Sequence, residues 1–117
     1  MSDKLTDMRN MRFLLYEVMK VEELLKYPYH EDHSRETFDM AIDTAYQLAR
    51  EVFWPQYQAF DREGAQFDGK HVKAPQGMHE IWRQFKEGGW FSPNLPYDLG
   101  GQQFPLTIYG ACFFVFN

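Results

Sequence analysis

The chain has 117 residues and a mass of 14.0 kDa, with 44% apolar and 18% aromatic residues. That is the length of a single domain, and its composition lies far from the low-hydrophobicity signature of disorder. Twelve Lys and Arg against 17 Asp and Glu give a net charge of −5, and no basic run exceeds two residues, which argues against nucleic acid as a partner.

From the start, Met11, Leu14, Leu15, Val18, Val21, Leu24 and Leu25 recur at three- and four-residue steps among charged residues, which predicts an amphipathic helix with one buried stripe. Thr6 or Asp7 supplies its N-cap. Pro28 ends it, because a proline pushes the preceding Tyr27 out of the helical region. The next segment starts at an N-cap, Ser34, with Glu36 in the first turn. Phe38, Ala41, Ile42, Ala45, Leu48, Ala49, Val52 and Phe53 then mark one face. Pro55 cannot donate to the carbonyl of Glu51, so a bend is expected near Trp54, with helix resuming to about Phe60 and Gly64 closing the element.

Asp68-Gly69 between Gln66-Phe67 and His71-Val72 signals a minimal hairpin. Pro75 introduces a further helix, with Met78, Ile81, Trp82 and Phe85 on one face and Gly88-Gly89 as its stop. Residues 90–105 contain three prolines, a glycine pair and no sustained period, the pattern of a long ordered loop. Trp90 and Phe91 are expected to pin it, and with Trp82 and Phe85 they read as core. The last segment, Leu106–Phe116, carries no charge. As a helix it is apolar all round and needs enclosure; as a strand its edge is an aggregation template. Either way the sequence looks cut inside an element, its cover being further chain or self-association through 106–116. The expected class is all-α: three to four helices, a long ordered loop and a minimal hairpin.

Cys112 cannot form an intramolecular disulfide or a cysteine metal cage alone, which points to a reducing compartment. The polar opening from Met1 to Asp7 does not read as a signal peptide, and no segment approaches the roughly 20 apolar residues of a membrane span. A cytoplasmic location is the expectation. His30-Glu31-Asp32-His33 is the one concentration of metal-ligand types, but it lacks a ligand from another element and reads as a solvated loop preparing the next cap. Cys112, between Ala111 and Phe113, reads as a buried thiol. Neither Gly88-Gly89 nor Gly100-Gly101 belongs to a G-x-G-x-x-G or G-x-x-x-x-G-K-[ST] phosphate loop. No catalytic, metal or cofactor-binding residue is assigned on these grounds.

Four short motifs in order carry a resemblance. They are Phe13-Leu14-Leu15-Tyr16-Glu17-Val18; Ala49-Arg50-Glu51-Val52-Phe53-Trp54-Pro55 followed by Asp61-Arg62-Glu63-Gly64; Gly88-Gly89-Trp90; and Pro96-Tyr97-Asp98-Leu99-Gly100-Gly101-Gln102 leading to Pro105-Leu106. Together the chain resembles the N-terminal helical domain of the acyl-CoA dehydrogenase family, over nearly all of its length. The early segment is similar to the branch with an added N-terminal helix, which includes methylthiopropionyl-CoA dehydrogenase. Residues 1–33 then correspond to that extension and 34–117 to a truncated form of the family's N-terminal domain.

The resemblance implies, for a complete family member, FAD bound between a middle β domain and a C-terminal helical domain, and a glutamate base acting on an acyl-CoA. Electrons pass to electron-transfer flavoprotein. This chain alone would be structural and pocket-forming, without the base or the flavin domain. By the same carry-over, Phe104, Leu106, Tyr109 and Phe113 are candidates for the wall of the acyl pocket. Two departures stand out. The family usually reads G-G-Q-G where this chain has Gly100-Gly101-Gln102-Gln103, so Gln103 would be strained if that turn needs positive φ. The tail Phe113-Phe114-Val115-Phe116-Asn117 replaces a more mixed helix. The alternative reading is a stand-alone helical interaction module that associates through its apolar C-terminal segment.

Overall fold

Two helices carry the core. In the computed structural model, which describes residues 5–117, α2 (Arg35–Leu48) packs along α5 (Leu106–Phe116). The residues that meet there, Phe38, Ile42, Ile108 and Cys112, retain almost no exposure. Each such side chain contributes roughly 1.5–3 kcal/mol by leaving water. The expected face of α2 is the one that is buried or half-buried throughout. Its start is a capping box: Ser34 Oγ accepts from the Thr37 N–H while Thr37 Oγ1 accepts from the Ser34 N–H, so two amides unpaired in a bare helix end are satisfied.

The first element differs from expectation. Asp7 caps α1 (Met8–Arg12) by accepting from the Asn10 N–H, but the chain then widens into a π-helical turn at Phe13–Val18, closed by Met19 N–H to Leu14 O at 2.8 Å. Lys20 takes a left-handed conformation, φ 52°, the geometry of a residue just past a helix end. A 3-10 helix follows at Val21–Lys26. The single stripe is therefore divided: Met11, Leu15 and Val21 are buried, whereas Leu14 and Val18 are exposed. Polar contacts fix α1 and its π turn to α2. Tyr16 OH donates to Asp39 Oδ1 at 2.7 Å, Arg12 pairs with Asp39 and Asp43, and the Arg35 guanidinium lies 3.9 Å from the centre of the Tyr16 ring. Tyr27 is extended, as the following proline requires, and Pro28–His30 forms a short 3-10 turn.

Pro55 is accommodated by a change of helix type. Trp54 N–H reaches five residues back to Ala49 O in a π turn (Ala49–Phe53); a 3-10 turn (Trp54–Gln56) follows before α3 (Tyr57–Glu63) begins. A wide turn before the proline and a tight one after it absorb the missing donor. This break makes two α-helices of the expected second element, so five are found among the described residues. The hairpin exists but is shifted by one residue: β1 (Gln66–Phe67) pairs antiparallel with β2 (Val72–Lys73) in the register Gln66↔Lys73 and Phe67↔Val72. Asp68 Oδ1 accepts from the N–H groups of Lys70 and His71. That turn draws His71 out of the strand and keeps the Asp68 carboxyl below its ordinary ionisation range.

The fourth α-helix, α4 (Met78–Glu87), is half-open: Phe85 packs against the core, Met78 and Trp82 are exposed, and Trp82 instead meets Phe91 on the surface. Of the four aromatics read as core, only Trp90 is buried. The last segment is helical, and it is not enclosed: Leu106 and Phe114 are 69% and 65% exposed.

The molecule is a slab of 52 × 41 × 18 Å with a radius of gyration of 16.6 Å, against roughly 13 Å for a compact domain of this length. It exposes 8390 Å², about 1,700 Å² more than the roughly 6,700 Å² expected of a compact 14.0 kDa monomer. No helix among the described residues is long and apolar enough to cross a membrane.

Candidate functional site

A cavity of about 310 Å³ opens between α2, α5 and the loop that joins α4 to α5. Its position follows from the packing just described. Thr37, Met40, Ala41 and Thr44, three and four residues apart on α2, form one wall; Ile108, Tyr109 and Cys112 of α5 form the second; Trp90, Pro93, Gln102 and Phe104 of the loop complete it.

The loop is held by the segment before α2. His33 Nε2 lies 2.6 Å from Gln102 O, and His30 Nδ1 lies 2.8 Å from Gln103 O. A carbonyl oxygen only accepts, so each of those ring nitrogens carries the hydrogen. Tyr29 OH donates to Asn94 O, Tyr97 OH to Asp32 Oδ2, and Gln103 Nε2 to Tyr29 O. His33 also lies against Phe104, ring centres 4.1 Å apart and planes tilted by 32°. The His30–His33 segment is thus a clasp on the loop rather than the solvated turn expected from its sequence. Among the described residues no group of three or more His, Cys, Asp or Glu could hold a metal ion.

Two backbone positions set the loop's shape. Gln103 has φ 54°, in the left-handed region that costs a side-chain-bearing residue about 1 kcal/mol or more. Gly101 is buried against Leu95, whose carbonyl oxygen would stand 2.0 Å from an added Cβ.

Chemically the cavity is apolar. Thr44 Oγ1 donates to Met40 O and Thr37 Oγ1 to Ser34 O, and Tyr109 OH reaches Trp90 O at 3.4 Å, so these hydroxyls already have partners inside the chain. Burial pushes the Cys112 thiol up to about 12, which removes it as a thiolate nucleophile at neutral pH. What remains is a wall suited to an uncharged, apolar group.

Of the four wall candidates, the structure brings Phe104 and Tyr109 together in this cavity. Leu106 stands on the open side of α5, and Phe113 packs edge-on against Phe85 at 6.0 Å and against Tyr109 at 4.7 Å. His33, Thr37 and Met40 were not singled out for the wall by the sequence. Thr37 follows the Ser34 N-cap by three residues, and nothing local marks Met40.

Two further hollows, of about 350 and 580 Å³, flank Phe114. Among the described residues, none of the three is lined by a lysine or arginine side chain. No protein-family model and no curated protein matches the chain.

Proposed function

We propose that this chain is the N-terminal helical domain of an FAD-dependent acyl-CoA dehydrogenase, with a structural and pocket-forming role and no catalytic group of its own. The observation that carries the reading is the backbone at Gln103. Its φ of 54° falls where the family places the last glycine of its G-G-Q-G turn, the residue that tolerates this conformation without strain. Two other features support it. Phe104 and Tyr109, which the resemblance assigns to the acyl pocket, line one apolar cavity. The slab shape leaves more surface than a self-sufficient domain of this mass retains.

In this reading FAD supplies the redox chemistry of the complete enzyme from the middle β and C-terminal helical domains. The residues of this chain close one side of the space in which the acyl group lies and keep water out of it. The acyl-CoA and the electron-transfer flavoprotein are partners of the complete enzyme.

The test has two arms. Purified alone, the 117-residue chain should be colourless and should not reduce a dye in the presence of an acyl-CoA; a flavin spectrum on the chain would contradict the proposal. Sequencing the gene past codon 117 should reveal an open frame encoding a β-rich domain, and a stop codon or an unrelated sequence there would count against it.

A further inference from the structure

Asp68 and Gly69 form the tip of the hairpin, apart from the core and from all three hollows. Both strands are exposed along their length, Phe67 and Val72 at 69% each. Asp68 Oδ1 accepts from the Lys70 N–H at 2.8 Å and from the His71 N–H at 2.7 Å. To reach those amides the carboxyl folds back over the intervening Gly69 nitrogen, and attack of that nitrogen on Asp68 Cγ closes a five-membered ring within one short stretch of chain. Gly69 has φ 96°, and apart from its chain neighbours no atom lies within 4 Å of where a Cβ would stand, so its nitrogen is uncrowded on that side. Asp68 is the one aspartate in this sequence that a glycine follows. Asp39, Asp43 and Asp61, by contrast, lie inside α2 and α3, where the next amide is held in the helical hydrogen-bond ladder.

We propose that Asp68 is a site of spontaneous covalent modification, at which the folded chain isomerises through a succinimide to an isoaspartyl linkage. The Gly69 nitrogen adds to Asp68 Cγ, and the negative charge that develops falls on Oδ1, the oxygen on which the Lys70 and His71 N–H groups already converge. Paired backbone donors stabilise an acyl-transfer intermediate in this way at an oxyanion hole. The N–Cγ bond forms, the Cγ–Oδ2 bond breaks, and Oδ2 departs as water with the carboxyl proton and the Gly69 amide proton. A second water opens the ring. Its addition at the Asp68 main-chain carbonyl carbon breaks the bond to Gly69 N, returns a proton to that nitrogen and leaves a free α-carboxyl group, with the chain now running through Cβ and Cγ. Addition at Cγ restores aspartate. Nothing is oxidised or reduced. The extra chain atom cannot keep the register Gln66↔Lys73 and Phe67↔Val72, but the hairpin contributes no core residue, so the packing of α2 on α5 does not oppose the change. The reacting carboxyl is the protonated one. Because the same two N–H groups hold Asp68 below its ordinary ionisation range, that form becomes scarcer, and the reaction slower, as pH rises. The inference is independent of the dehydrogenase reading, which makes no use of the hairpin.

Ageing the folded 117-residue chain in mildly acidic heavy-oxygen water, followed by tryptic peptide mapping, tests it. The peptide 63–70 contains Asp68 as its one aspartate. The expected result is a second chromatographic form of that peptide, one heavy oxygen richer, that electron-transfer fragmentation cuts between Cα and Cβ of residue 68. It should accumulate several-fold faster than any isomer at Asp39, Asp43 or Asp61, and more slowly in mildly alkaline buffer. Asp68→Glu requires a six-membered ring and should lose the isomer. Gly69→Ala crowds the attacking nitrogen and should slow its formation several-fold. Circular dichroism, checked throughout, should show the helices of the chain and of both variants unchanged, since the hairpin lies outside the core. A peptide 63–70 without the isomer, equal amounts at the helical aspartates, a rate that rises with pH, or a product that persists in Asp68→Glu would overturn the proposal.

Discussion

His33 Nε2 donates to the carbonyl of Gln102 across 2.6 Å while its ring packs tilted against Phe104 at 4.1 Å, joining the approach to α2 to the wall of the cavity with one side chain. Sixty-nine residues separate the two partners, so this contact closes most of the chain into one loop. His30 repeats the arrangement on the next carbonyl, that of Gln103, at 2.8 Å. The two histidines three residues apart are therefore spaced to grip two consecutive peptide units.

Replacing His33 by alanine removes two hydrogen bonds, to Gln102 O and Thr37 Oγ1, each worth about 0.5–1.5 kcal/mol, and an aromatic contact of similar worth. The expected loss is about 2 kcal/mol of unfolding free energy, read from a urea titration. His30→Ala should cost about 1 kcal/mol, since it removes one buried-side hydrogen bond. Zinc ions should leave the melting temperature of the unaltered chain where it is, because both ring nitrogens of His33 are already engaged, Nε2 with Gln102 O and Nδ1 with Thr37 Oγ1 at 3.1 Å; a rise with zinc would restore the metal reading of this segment.

At Gln103 the usual ranking of glycine and alanine should reverse. The native side chain offsets its left-handed backbone by donating to Tyr29 O at 2.7 Å and accepting from Tyr97 N–H at 3.3 Å. Gln103→Ala keeps the strain and loses both bonds, so about 1–2 kcal/mol of stability should go. Gln103→Gly loses the same bonds and relieves about 1 kcal/mol of strain, and should fall between alanine and the native residue. Chemical denaturation of the three proteins orders them. An alanine variant more stable than the glycine variant would show that this turn is not strained.

Gly101→Ala should be far more damaging than its small volume suggests. The added methyl would lie 2.0 Å from Leu95 O, a backbone atom that cannot rotate away, and Gln103 N–H depends on that same carbonyl at 3.0 Å. A loss at or above the roughly 3 kcal/mol upper end for overpacking is expected, seen as a lower denaturation midpoint.

The sequence made some of this legible and concealed the rest for definable reasons. Ser34, the apolar face from Phe38 to Phe53, the stop at Gly88-Gly89 and the hairpin around Asp68-Gly69 are local signals, each set by residues within one or two turns. The break at Met19-Lys20 left no such trace: the three- and four-residue period runs on to Leu25, and neither glycine nor proline marks the turn. What decides it is tertiary, the burial of Val21 and the contacts of Tyr16 and Arg12 with Asp39 and Asp43 on α2. Two of the four wall candidates stand apart from the cavity for a similar reason. Leu106 and Phe113 share a helix with Tyr109, but only the packing of α5 on α2 determines which side of that helix meets the cavity. The histidine clasp could not be read either, because its partners are backbone carbonyls sixty-nine and seventy-three residues away and carry no sequence identity.

The buried thiol gives the fold an alkaline limit. Cys112 is 2% exposed, and burial raises its ionisation from the ordinary 9.0 to about 12. Burial likewise raises the phenols of Tyr16, where the hydrogen bond to Asp39 adds to it, and of Tyr109. In each case the native state keeps a proton that the unfolded chain releases at lower pH. The stabilisation is therefore complete below about pH 9 and declines as pH rises toward 12, because the unfolded state then binds fewer protons. One such group contributes a slope of up to about 1.4 kcal/mol per pH unit. Urea midpoints of the native chain should be flat between neutrality and pH 8 and fall above pH 9, and Cys112→Ala should start lower through its lost volume but fall less steeply. Equal slopes for the two proteins would assign the alkaline loss to the tyrosines alone.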